Sequence, residues 1–178
     1  MESNQTQQEV ASTWPQSRHP VASKLVKQLQ SRGEHLALAE SCTCGMAAAM
    51  IGGVPGASNV FCGSMVTYQT ACKRSWLGVP AEIVAAHSAE SRATTEAMAT
   101  RLLSACPEAD WTAAVTGHLG PNAPAEQDGE VFFCLVRRDL KREHHVFHRR
   151  DVLKQTQRIA RQIETATILI QWIGEHVR

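Results

Sequence analysis

The stretch Leu36-Ala37-Leu38-Ala39-Glu40-Ser41-Cys42-Thr43-Cys44-Gly45, running into Met46-Ala47-Ala48-Ala49-Met50-Ile51, decides how this chain is read. Residues 35–40 have the small, apolar character of a buried strand, and residues 46–51 have a helix-favouring composition. Between them lies a bend made of a carboxylate, small nucleophile-capable side chains and a glycine. A strand-to-helix bend of this kind exposes side chains at the carboxyl edge of a sheet. It also aims unsatisfied backbone N–H groups at whatever docks there. Ser41 therefore stands beside a ready-made site for negative charge, which is half of an acyl-transfer machine. The same serine also reads as an ordinary helix N-cap.

With 178 residues the chain has the length of one domain with a core large enough to be stable unaided. A hydrophobic share of 43% fits a soluble globular protein, and no apolar run is long enough to span a membrane. The first twenty residues lack an apolar block and do not resemble a secretory signal, so a cytoplasmic protein is expected. A net charge of +1 argues against general binding to polyanions, nucleic acid included. The six cysteines sit mostly inside apolar segments and read as buried reduced thiols. Cys42-x-Cys44 has no second Cys/His pair at zinc-site spacing, so no metal or other cofactor is expected.

Residues 1–17 are polar and aperiodic and read as a disordered tail, with the domain following over 18–178. Val21, Leu25, Val26 and Leu29 fall at helical spacing between Pro20 and Arg32, and Gly33 terminates them. After the bend and its helix, Gly52-Gly53-Val54-Pro55-Gly56 reads as a turn. A strand is expected over 59–68, short helices over 70–77 and 80–87, and a longer helix over 92–105 capped by Ser91. Trp111 to Val115 reads as a buried strand entering Thr116-Gly117-His118-Leu119-Gly120-Pro121. Residues 130–137 and 143–148 read as an antiparallel pair. The last helix is expected from about Asp151 to His176, with Ile159, Ile163, Ala166, Ile170 and Ile173 on its inner face. Alternating helices and strands ending in a hairpin predict an α/β fold, a three-layer α/β/α single domain with a mixed sheet.

Three places carry candidate chemistry. Ser41 is the first. Tyr68, ending a strand, with Lys73 on the next helix is the second: a partly buried lysine near a serine can lose its proton and serve as the base. A tyrosine between them can relay that proton or orient the nucleophile. The third is the loop from Thr116, where Gly117 and Gly120 let backbone approach a ligand at a strand's carboxyl end. Residues 137–150 hold the strongest local charge, which reads as a solvated hairpin or as a grip on phosphate.

These pieces resemble one family. Ala39-Glu40-Ser41-Cys42-Thr43, Val54-Pro55-Gly56-Ala57-Ser58, Val66-Thr67-Tyr68 with Lys73, Leu77-Gly78-Val79-Pro80, and Val115-Thr116-Gly117 to Gly120-Pro121 follow the order and spacing of the CinA C-terminal domain. That family includes nicotinamide mononucleotide deamidases of the PncC type. The resemblance implies a metal-independent amidohydrolase that converts nicotinamide mononucleotide to nicotinate mononucleotide and ammonia. It implies Ser41 as nucleophile with Tyr68 and Lys73, and Arg150, placed just before the last helix, as a nucleotide contact. Thr43, Cys44 and Gly45 would hold the oxyanion, and Thr116, Gly117 and Gly120 would face the substrate. Several loops depart from the family: Cys44 replaces a glycine, Ser88-Ala89-Glu90-Ser91 stands for Gly-Ala-Val-Ser, and Glu126-Gln127-Asp128-Gly129 stands for Lys-Pro-Val-Gly. Such drift leaves a second reading open, a weak or inactive paralogue that binds a nucleotide or a protein partner. The expected partner is thus a small nucleotide, with neither nucleic acid nor membrane, in a homo-oligomer for which a dimer is plausible.

Overall fold

Every side chain of β1 (Leu36–Glu40) is buried, as a strand with neighbours on both edges and helices on both faces requires. A computed structural model describes the chain at residues 20–139, 141 and 143–177. The tail expected over 1–17 lies outside the described residues. β1 follows α1 (Pro20–Arg32) and precedes α2 (Met46–Gly52), β2 (Phe61–Val66), α3 (Thr70–Leu77), α4 (Ala81–His87) and α5 (Arg92–Ala105). Then come β3 (Trp111–Gly117), β4 (Glu130–Arg137), β5 (His145–Val152) and α6 (Arg158–His176).

The strands form one mixed sheet in the order β2-β1-β3-β4-β5. β1 runs parallel to β2 and β3, whereas β4 is antiparallel to both β3 and β5. Glu40 is in register with Val66 and Val115, so the carboxyl ends of the three parallel strands lie side by side. Helices cover both faces, giving the three layers expected. Because strand side chains alternate, Leu36 and Leu38 join Leu25, Leu29, Ile51, Leu169 and Ile170 on the face of α1, α2 and α6. Ala37 and Ala39 point to the other face and meet Leu77, Met98 and Leu102 of α3 and α5.

The strand expected over 59–68 is shorter, Phe61–Val66, and the strand expected over 143–148 runs instead over His145–Val152. The last helix does not begin near Asp151. The chain stays extended to Val152, because all eight residues of β4 find partners in β5, from Glu130 with Val152 to Arg137 with His145. Leu153 continues the ladder by donating its N–H to the Gly129 carbonyl at 2.9 Å. The following N–H groups, of Lys154 and Gln155, donate to the Glu164 carboxylate at 3.1 and 2.9 Å, and α6 starts only at Arg158. Ile159 consequently sits in the first turn and is exposed, while Ala166, Leu169, Ile170, Trp172 and Ile173 make the buried stripe. The basic hairpin is largely paired within the chain. Arg138 donates to the carbonyls of Leu103, Cys106 and Ala109, Arg137 and Arg149 pair with Glu34 and Asp151, and His148 lies 3.2 Å from Glu96.

Candidate active site

At the end of β1 the fully buried Glu40 side chain turns back over the bend. Its carboxylate accepts the N–H groups of Gly45, Ala47 and Ala48 at 3.0, 3.1 and 2.9 Å and the Ser64 hydroxyl at 3.0 Å. A negative charge on the first turn of α2 satisfies donors that would otherwise be orphaned. Cys44 and Met46 donate their N–H groups to the carbonyls of Ser41 and Thr43, both at 3.1 Å. The bend therefore consumes most of its own donors. Among the described residues, the N–H groups of Cys42 and Thr43 have no acceptor in the chain. The expected oxyanion donors are corrected accordingly: those of Cys44 and Gly45 are occupied. The tight path also puts Cys44 at φ 51° and Gly45 at φ 90°. Glycine takes that region freely, whereas a cysteine there costs about 1–2 kcal/mol.

Lys73 projects from α3 to the same bend and has no exposed surface. Its Nζ donates to Ser41 Oγ at 2.8 Å and to the Thr67 carbonyl at 2.9 Å. Burial holds the Lys73 ammonium below the ordinary lysine value, against an opposing pull from the Glu90 carboxylate. Burial likewise pushes the neighbouring Cys42 thiol up to about 12, so it stays protonated at neutral pH. Of the bend's side chains, it is the Ser41 hydroxyl that stands beside the lowered lysine.

Ser41 opens into a cavity of about 220 Å³ whose walls include Tyr68, Glu90, Arg158 and the 117–123 loop. The Tyr68 hydroxyl accepts a hydrogen bond from Arg158 at 2.5 Å, and Arg158 also donates to the Gly120 carbonyl. Gly117 lies so close to β4 that a Cβ there would come within 2.6 Å of the Glu130 carbonyl oxygen and of Val131 Cγ1. The loop is held at its far end by Arg161, whose guanidinium grips both oxygens of Asp128 at 2.7 Å. That pairing keeps the Asp128 carboxyl below the usual range. The Nε2 atom of His118 is buried without a partner among the described residues.

The arrangement suits acyl chemistry: a hydroxyl, a lysine with lowered basicity and a polar cavity meet at the carboxyl ends of parallel strands. The sequence pattern of the CinA C-terminal domain matches residues 18–170. The chain belongs to the CinA C-terminal domain family. It is 40% identical over 116 residues to a CinA-like protein of Myxococcus xanthus, a match covering 64% of this chain and 27% of that protein. It is 45% identical over 114 residues to a CinA-like protein of Anaeromyxobacter dehalogenans, covering 63% and 28%. The matched segment thus spans between a quarter and a third of these curated relatives. Among solved structures, a competence/damage-inducible protein of Agrobacterium tumefaciens superposes with a TM-score of 0.83 at 27% identity, over 92% of this chain and 98% of that one. A CinA superfamily protein of Klebsiella pneumoniae gives 0.82 at 27% identity, over 89% and 96%.

Within this CinA fold the expected residues are brought together unequally. Ser41 and Lys73 are hydrogen-bonded, and Tyr68 shares their cavity but is bonded to Arg158 instead of to either of them. Gly117 and Gly120 line the cavity. Thr43, Cys44, Gly45 and Thr116 are not in its lining; Thr116 Oγ1 meets Thr95 Oγ1 at 2.8 Å inside the core. Arg150 does not precede the last helix. It belongs to β5, where it pairs with Glu130, and it is absent from the lining. The arginine in the cavity wall is Arg158, which sequence reasoning missed because it reads as one more polar residue of a long helix. Glu90 was visible only as a carboxylate where the resemblance implies valine.

Proposed function

We propose that this chain is an amidohydrolase that converts the carboxamide of a pyridine nucleotide, of which nicotinamide mononucleotide is the type, to the carboxylic acid and ammonia. The observation that carries the reading is the buried hydrogen bond of 2.8 Å between Lys73 Nζ and Ser41 Oγ at the cavity floor. Neutral Lys73 takes the Ser41 proton as Oγ bonds to the amide carbon. The oxyanion turns to the free N–H group of Cys42, which lines the cavity beside Ser41. The Lys73 ammonium then returns the proton to the nitrogen as the C–N bond breaks, and ammonia leaves an acyl-serine. Water, deprotonated by Lys73, attacks that ester; Ser41 Oγ leaves with the proton and the acid is released. Tyr68 and Arg158 fit the outer, polar end of the substrate, where a guanidinium suits phosphate.

Ammonia release from a panel of nicotinamide nucleotides and nucleosides tests this reading. Ser41→Ala and Lys73→Ala are each expected to lower kcat/KM at least about a thousandfold while circular dichroism stays that of the parent. A Lys73→Ala variant turning over at the parental rate would remove lysine from the mechanism. No ammonia from any amide would leave the nucleotide-binding paralogue as the better reading.

A further inference from the structure

Glu90 is the one carboxylate in the cavity lining, and among the described residues its side chain has no hydrogen-bond or ion-pair partner. It is presented there by a fixed segment. Ser88, in the left-handed region at φ 73°, offers its carbonyl to Thr94 Oγ1 at 2.6 Å and to Ser91 Oγ at 3.2 Å. Its own hydroxyl donates to the Glu90 carbonyl at 3.2 Å, and Ser91 caps α5 by accepting the Thr94 N–H. A serine in that backbone region costs about 1–2 kcal/mol, so these bonds hold an otherwise unfavourable path that delivers residue 90 to the cavity.

A partly desolvated carboxylate needs a counter-charge. Neither Lys73 nor Arg158 forms an ion pair or hydrogen bond with it: Lys73, on which it exerts only a longer-range pull, donates to Ser41 and Thr67, and Arg158 donates to Tyr68 and Gly120. Resting on the hydrolase reading of the same cavity, we propose that Glu90 is a specificity-determining residue. It selects substrates that carry a positive charge beside the scissile carboxamide, such as a quaternary pyridinium ring, over neutral rings of the same shape. The same charge disfavours the carboxylate product, which would stand beside Glu90 once the amide is gone.

Nicotinamide mononucleotide and its 1,4-dihydro form differ in ring charge, and Glu90→Gln keeps the side chain's shape. The ratio of kcat/KM for the cationic over the neutral substrate is expected to fall at least about tenfold in Glu90→Gln, through KM for the cation, the size of one charged contact. Intrinsic reactivity differences cancel between parent and variant. Any effect of Glu90 on Lys73 moves both substrates alike. An unchanged ratio overturns the proposal. A second arm needs no turnover: calorimetric binding of 1-methylnicotinamide and of nicotinamide to Ser41→Ala, with and without Glu90→Gln. Preference for the cation that disappears with Glu90→Gln supports the proposal even if no amide is hydrolysed, in which case only the hydrolase reading fails. Equal binding of the two probes, or binding of neither, overturns it even where ammonia is released.

Discussion

A lysine without exposed surface loses the hydration of its ammonium, and Lys73 recovers only two hydrogen bonds in exchange. The lowered basicity that results is useful to a base and unfavourable to the fold, and both consequences are measurable. Because only neutral Lys73 can accept the Ser41 proton, kcat/KM is expected to rise with pH through the Lys73 pKa, with a midpoint below that of an ordinary lysine, about 10.5. For stability the sign follows from proton counting. Between the folded and unfolded pKa values the unfolded chain binds the extra proton, so stability rises as pH rises through that window. Lys73→Met lacks this titration. Thermal unfolding of both proteins across pH should therefore show the parent gaining on Lys73→Met as pH increases; a Tm difference independent of pH would mean that Lys73 keeps an ordinary pKa.

At the level of elements, the site depends on where strands stop. β1 ends at Glu40, so the carboxylate that closes the strand also caps α2 and sets the bend that carries Ser41. β3 ends at Gly117, pressed against β4 so closely that no side chain fits. Gly117→Ala must push β3 from β4 or shift the loop that forms one cavity wall. An overpacked site of this kind is expected to cost about 1–3 kcal/mol. The measurement is chemical denaturation, where a lowered midpoint at unchanged slope is expected together with reduced activity. A variant as stable as the parent would show that the strand pair yields without cost. Residues 116–121 were legible as a glycine loop from their composition, but the need for glycine at 117 comes from a strand that follows it by more than ten residues.

Taken as a whole, the molecule assembles its cavity from segments far apart in the chain: the bend after β1, Tyr68 just past β2, the turn before α5, the β3–β4 loop, and the start of α6. Arg158 closes this set from the last helix by reaching both Tyr68 and Gly120. Arg158→Ala is expected to lower kcat/KM for a nucleotide at least about tenfold with little change in Tm, since it removes charge-assisted contacts and no core packing. Arg150→Ala, which breaks only a pairing with Glu130 on the outer strand, should leave kcat/KM within about twofold of the parent. The reverse order of effects would favour Arg150 over Arg158 as the contact. Among the described residues no helix is long and apolar enough to cross a membrane.

What the residues alone determined was local in origin. Alternating apolar periods announced the α/β layers, small residues before the Glu40–Gly45 bend announced β1 and the turn that carries Ser41, and the spacing of Tyr68 and Lys73 after a strand marked the likeness to CinA domains. Only the tertiary structure decided the rest. The length of β5 came from its pairing with β4, which carried the chain past Asp151 and moved the start of the last helix to Arg158. Most of the bend's N–H groups were taken by Glu40 and by carbonyls within the bend, and the guanidinium that reached the cavity was that of Arg158, while Arg150 paired with Glu130. Periodicity records which face of an element is buried, but a charged side chain's role depends on the partners that distant segments bring to it or withhold from it.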